Sequence, residues 1–207
     1  MTDFVHLYWK RNRGWPWPEE SWGLTPMFGE DGWCHACGVP NRPQTGSVVL
    51  QRKGFKLVEG CWVPNWRFDV ICVDAAIANR AAKRFDLDLR PVEWHPTSPG
   101  AAMQIVVPTL GDSWFDHDEL RAKAVELHGV PGATCVECGV WRWMPLTFDF
   151  LPQLGITPAL GDDVNIAASP EWFGDGWRAF RQIVVRRELA EMIAATSPRD
   201  FKVQPVS

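Results

Sequence analysis

Two short stretches hold the residues best suited to chemistry: Cys34-His35-Ala36-Cys37-Gly38-Val39 and Cys135-Val136-Glu137-Cys138-Gly139-Val140. Each reads C-x-x-C-G-V. Two thiolates two residues apart bind one metal ion from a tight turn, and the glycine after the second cysteine allows the positive backbone angle that turns neighbouring amides toward sulfur. One turn supplies half of a tetrahedral shell. The pair therefore predicts a single structural zinc site made of Cys34, Cys37, Cys135 and Cys138, with Zn–S bonds of about 2.3 Å. Four thiolates leave no open coordination position, which separates such a site from a catalytic zinc.

Two other chemistries use cysteines at this spacing. Trp33-Cys34-His35-Ala36-Cys37 is similar to the W-C-x-x-C of thioredoxin-type oxidoreductases, whose first cysteine sits at a helix N-terminus. Here two prolines follow in Gly38-Val39-Pro40-Asn41-Arg42-Pro43, and Pro145 closes the stretch after the second motif, so neither motif opens a helix. Disulfides are the other alternative; without a signal peptide, and in a chain larger than a small secreted domain, zinc is the preferred reading. Cys61 and Cys72 stand alone, and Cys72, inside an apolar strand, is read as an inert buried thiol. His117 and His128 share a predicted helix, where a solvated face is favoured over a second metal site. No G-x-S-x-G, phosphate-cradling glycine loop or H-E-x-x-H occurs, so no catalytic set or small-molecule substrate is identified, and an enzyme is not expected.

A length of 207 residues, 46 % hydrophobic and 22 % charged, supports a sizeable core. With 21 basic against 25 acidic residues the net charge of -4 argues against a general electrostatic grip on nucleic acid. No charged leader followed by an apolar run opens the sequence and no apolar stretch reaches membrane-spanning length, so a soluble, cytoplasmic protein is expected. Thirteen tryptophans stand against one tyrosine. Several adjoin glycine or proline (Trp15-Pro16-Trp17-Pro18, Trp22-Gly23, Gly32-Trp33, Gly176-Trp177), where large rings let an irregular chain bury area; an exposed one would mark an interface.

The elements that must position the cysteines follow from pattern and punctuation. A first strand is expected over 4–9, then a proline- and glycine-rich loop over 11–32. A hairpin is expected from 48–50 to 55–58, turning at Lys53-Gly54. A strand over 66–73, a helix over 75–85 capped by Asp74 and a strand over 87–94 come next. A strand over 102–107 stops at Pro108, and Asp116-His117-Asp118-Glu119 opens a helix by a capping-box pattern that ends at Gly129. Beyond the second motif a long loop, a strand over 164–167, a helix start at Ser169-Pro170-Glu171, a strand over 180–185, a helix over 186–195 and a strand over 201–206 are predicted.

The halves echo each other. Trp66-Arg67-Phe68 with Ile71 and Val73 corresponds to Trp177-Arg178-Ala179-Phe180 with Ile183 and Val185, Ala78 to Ala190, and Pro91-Val92 to Pro205-Val206. Cys34 to Phe68 is 34 positions and Cys135 to Phe180 is 45, so the second half carries an insertion. The fold class expected is α+β: mixed sheets with a few helices, in two related strand–helix–strand halves joined by the shared zinc site. A single zinc-stapled domain over 1–207 would comprise two pseudo-repeats, about 1–100 and 101–207, with the metal near a pseudo-twofold axis.

The paired C-x-x-C-G motifs, Trp22-Gly23-Leu24 ahead of the first and the stretch Ile166-Ala167-Ala168-Ser169-Pro170-Glu171-Trp172-Phe173 together resemble the double-CXXCG motif proteins, a paralogous family of myxobacteria that includes immunity proteins against swarm-inhibition toxins. The resemblance spans most of the chain. It implies a cytoplasmic immunity protein that holds a protein toxin in an inactive complex. The rival class is a zinc-ribbon protein acting on nucleic acid or in regulation. Charge around the turns, where Glu30, Asp31 and Glu137 accompany Arg42 and Arg142, discriminates between them. For a partner with a basic site, the expected interface is Asp112 and Asp118 with Trp114 as anchor, against the plainer reading of Asp116 and Glu119 as helix-capping acids.

Overall fold

A computed structural model describes residues 4–11, 23–52, 57–64, 67–155, 160–161, 163–174 and 178–206. The chain is a mixed α+β protein. Its strands are β1 (Phe4–Trp9), β2 (Val49–Gln51), β3 (Cys61–Trp62), β4 (Ile71–Asp74), β5 (Leu89–Pro91), β6 (Glu93–His95), β7 (Ala102–Ile105), β8 (Gly132–Thr134), β9 (Trp141–Trp143), β10 (Ile166–Phe173), β11 (Phe180–Arg186) and β12 (Phe201–Pro205). The helices are α1 (Leu24–Phe28), α2 (Ala75–Ala82), α3 (His117–His128) and α4 (Arg187–Thr196). Strands join in three sheets: β12-β1-β11-β10-β9-β8, β3-β4-β7-β5 and the small pair β2-β6.

The two larger sheets share one connectivity. β4, α2 and β5 form a strand–helix–strand unit whose two strands both pair antiparallel with β7, which lies between them. β11, α4 and β12 form a second such unit around β1, which is antiparallel to both. β3 pairs antiparallel with β4, and β10 with β11. The central strand of each unit therefore comes from the opposite half of the chain: the N-terminal β1 completes the C-terminal unit, and β7 completes the N-terminal one. α2 buries Ile77, Ala78 and Ala81 and α4 buries Leu189, Ala190 and Ile193, the same three positions of a helical face.

Local chemistry accounts for the helix ends. The Asp74 carboxylate accepts from the Ile77 amide at 2.8 Å and from the Gly60 amide at 2.7 Å, capping α2 and tying it to the chain before β3. Asp116 accepts from the Glu119 amide at 2.8 Å to open α3, and Gly129, at φ 77°, closes it with its N–H on Val125 O.

Several expectations differ from what is seen. Residues 53–56 of the expected hairpin lie outside the described residues, and β2 pairs instead with β6, parallel, Val49 opposite Glu93. The strand expected over 66–73 is confined to β4, because Arg67 to Val70 form a tight turn in which the Val70 amide donates to Arg67 O. The strand over 87–94 divides: β5 stays with β7, the Val92 amide still reaches Ala102 O, and β6 departs to β2. Ser169-Pro170-Glu171 starts no helix. β10 runs straight through it, with a register shift between Ala168 and Trp172 at which Pro170, lacking an N–H, costs no ladder bond. The loop over 11–32 contains α1, entered through Gly23 at φ 72°, and the long loop after the second motif contains β9 and a 3₁₀ turn at Phe148–Phe150.

One core cluster runs through both units, joining Val5 and Leu7 of β1 to Ile71, Val73 and Ile77 and to Val185 and Leu189. Trp9 stacks on Phe68 at 5.1 Å, and Phe68 meets Phe180 edge-on at 5.4 Å. Ser197 Oγ, beyond α4, accepts from the Cys61 amide in β3 at 2.6 Å. Trp62 and Trp114 lie in the core, whereas Trp15, Trp17, Trp22 and Trp177 lie outside the described residues.

His6 of β1 is 3 % exposed, its Nδ1 is 3.4 Å from Ile183 O and its ring is 4.7 Å from that of Phe148. Burial lowers its pKa from 6.5 to about 4, only partly opposed by the bond to Ile183. The native state holds the neutral ring, so the effect is absent above pH 6.5 and stability declines as pH falls from 6.5 toward 4, by about 3 kcal/mol in full. Denaturant unfolding of wild type and His6→Phe at pH 7 and pH 4.5 should show a steeper acid loss in the wild type; parallel losses would remove His6 from the cause.

Candidate metal centre

The two C-x-x-C-G-V stretches fold into the same turn. In the first, the Cys34 amide donates to Val39 O at 2.8 Å and the Gly38 amide to Cys34 O at 2.7 Å; in the second, the Cys135 amide donates to Val140 O and the Gly139 amide to Cys135 O, both at 2.9 Å. Gly38 and Gly139 sit at φ 74° and 73°, where a side chain would be strained, which is why glycine occupies both positions. Antiparallel pairing closes each turn at its base, through a bridge between Trp33 and Pro40 in the first and through β8 and β9 in the second.

Folding brings these turns together. Cys34 Sγ lies 3.8 Å from Cys135 Sγ and Cys37 Sγ lies 3.6 Å from Cys138 Sγ, across a sequence separation of 101 in each case. All four sulfurs lie within 4.8 Å of one another, and no cysteine is in a disulfide. The four can hold one metal ion, two ligands from each half. Cys34, Cys37 and Cys135 are buried beside Val39, Trp172 and Ala179, and Cys138 faces solvent. The group is the one such cluster among the described residues: His117 lies 3.6 Å from Glu171, and His128 contacts Pro145 O.

Local electrostatics favour thiolates at some positions and oppose them at others. Burial pushes the Cys37 thiol well up, against a smaller lowering by the Val39 amide. The Cys138 thiol is also raised by burial, with the Val140 amide opposing. Cys135 is drawn down to about 6, first by the Cys138 amide and then by that of Glu137. These N–H groups face sulfur in a turn closed by glycine at positive φ, and they place positive dipole ends against it. A cation among the sulfurs would offset the charge that burial opposes at Cys37.

Other residues expected at a functional site are placed differently. Asp112 and Asp118 are exposed, but Trp114 is 1 % exposed and belongs to the core. Its Nε1 donates to Leu110 O at 2.8 Å and its amide to Glu171 Oε1 at 2.7 Å, so it is no surface anchor. Glu171 is itself buried and also accepts from Ser113 Oγ, holding the segment ahead of α3 against β10. Sequence reasoning missed that role, because a glutamate following Ser-Pro reads as a helix start. Trp172, which is buried in one cluster with Cys34, Cys37 and Cys135, was equally hidden, its only signal being the stretch over 166–173.

Metal analysis of the dialysed protein should return one ion per chain. Cys135→Ser and Cys37→Ser should abolish it, and Cys61→Ser, altering a buried thiol outside the cluster, should leave it at one; two disulfides and no metal in the native protein would overturn the assignment. No family model, curated protein or solved structure matches this chain.

Proposed function

We propose that this chain is a zinc-stabilised immunity protein of the cytoplasm that binds and neutralises a cognate protein toxin. The observation that carries this reading is the convergence of the two C-x-x-C-G turns, the feature on which the resemblance to the double-CXXCG proteins rests, into one closed four-sulfur centre. Sulfurs 2.3 Å from a tetrahedral ion lie about 3.8 Å apart. Two of the separations, 3.8 and 3.6 Å, match that spacing. With four protein ligands the ion is structural: it supplies folding free energy and no reactive water.

Charge around the turns supports a protein partner over a phosphate-tracking zinc ribbon. Glu30, Asp31 and Glu137 are exposed there, and of the two guanidinium groups only Arg42 is exposed, since Arg142 is 8 % exposed. The exposed acids Asp112 and Asp118 flank the start of α3, and Val125, Leu127 and Val130 are exposed at its end, at 42, 44 and 50 %. An acidic edge beside apolar side chains suits a basic toxin, with carboxylates steering the encounter and apolar contacts retaining it.

The test is co-expression with the toxic product of a neighbouring gene. The wild type should relieve growth inhibition and co-purify with the toxin, and Cys135→Ser should lose both properties. Asp112→Ala with Asp118→Ala should slow association and flatten its salt dependence. Neither rescue nor a complex with any neighbouring product would overturn the proposal.

A further inference from the structure

A cleft of about 600 Å³ opens between the four-stranded and six-stranded sheets, beside the first metal turn. Arg42, Arg67, Arg90 and Arg181 line it, against the two carboxylates of Asp69 and Asp88, leaving an excess of two positive charges. These arginines come from four separate places: the loop after the first turn, the turn before β4, β5 and β11.

Protein groups compensate this charge incompletely. Arg67 is 6 % exposed. Its Nη1 donates to Ala179 O at 3.2 Å, its Nη2 stands 3.6 Å from Asp69, and its Nε is buried with no partner. Arg90 Nη2 is 3.8 Å from Asp88, which is well exposed, and its Nη1 is buried without a partner. Arg181 lies over the Trp172 ring at 4.0 Å and bonds Thr109 Oγ1 through Nη1, while its Nε has no partner. Burial pulls the Arg181 pKa down, with only Asp69 opposing, as for a cation removed from water ahead of a counter-charge. Guanidinium groups removed from water with incomplete carboxylate compensation are costly, and an anion in the cleft would offset their excess charge.

We propose that this cleft is a binding site for a small phosphorylated compound, its phosphoryl group held by Arg67, Arg90 and Arg181. A phosphate monoester matches the excess of two charges, and it offers three terminal oxygens to the three arginines, where a carboxylate offers two. The cleft volume falls within the range of small-ligand sites. The site lies beside the candidate metal centre through Trp172, which shares the buried cluster of Cys34, Cys37 and Cys135 and carries Arg181 over its ring.

The test is calorimetric titration of the metal-loaded full chain with inorganic phosphate, pyrophosphate and succinate in a chloride buffer of low ionic strength. Phosphate or pyrophosphate should bind saturably at one site. Arg181→Gln and Arg90→Gln, at half-buried positions, should each weaken binding at least tenfold while retaining one metal per chain. Arg84→Gln, which alters a surface pair with Glu188, should change nothing. Lack of saturable phosphate binding, tighter binding of succinate, or equal loss in Arg84→Gln would overturn the proposal.

Discussion

Four sulfurs must meet at one point although the two turns that carry them are 101 residues apart, and most of the architecture follows from that requirement. The turns are short and rigid, each closed by a glycine at positive φ and by amides directed at sulfur, so neither can bend to find the other. The bodies that carry them must be docked correctly before the shell is complete. A metal ion held there would restrain a loop of about 100 residues, a constraint worth roughly 4 to 5 kcal/mol by the loop-entropy scale used for disulfides. That is a large part of the 5–15 kcal/mol by which domains are ordinarily stable.

Docking is secured independently of the metal by the exchange of central strands. β1 lies between β11 and β12, and β7 between β4 and β5, so neither strand–helix–strand unit has a complete sheet without the other half of the chain. A unit lacking its central strand would leave two separated parallel strands with unpaired edges. The aromatic seam of Trp9, Phe68 and Phe180 fills the junction, and Ser197 ties the end of α4 to β3. The four-cysteine cluster and the strand exchange thus lie on the same interface between the two halves of the chain. The arginine-lined cleft lies at this junction too, where it can collect side chains from several elements.

Much of the local structure was legible in the sequence. β1, the caps of α2 and α3, the stop at Gly129 and the succession of β11, α4 and β12 follow from alternation, capping chemistry and glycine, all of which act within a few residues. Errors arose where a local signal was overruled at long range. Ser169-Pro170-Glu171 carries a helix-start pattern, but Glu171 is needed as a buried acceptor for Ser113 and Trp114, and the backbone stays extended to deliver it. The acids Asp112 and Asp118 suggest a surface anchor at Trp114, yet the ring's N–H finds Leu110 O and the side chain turns inward.

By itself the sequence determined the four cysteines and their common destination, because two C-x-x-C-G-V turns each offer half a shell and a partner of the same kind completes it. It also determined the strand–helix–strand succession of both units and the correspondence of Ala78 with Ala190. Tertiary structure alone decided which strand enters which sheet, since β1 and β7 have apolar patterns that suit either position and pairing between distant strands leaves no mark on local sequence. It likewise decided that Trp114 is interior and that four scattered arginines share one cleft. Burial and charge convergence are properties of how chain segments far apart in sequence come to lie side by side, and no spacing records them.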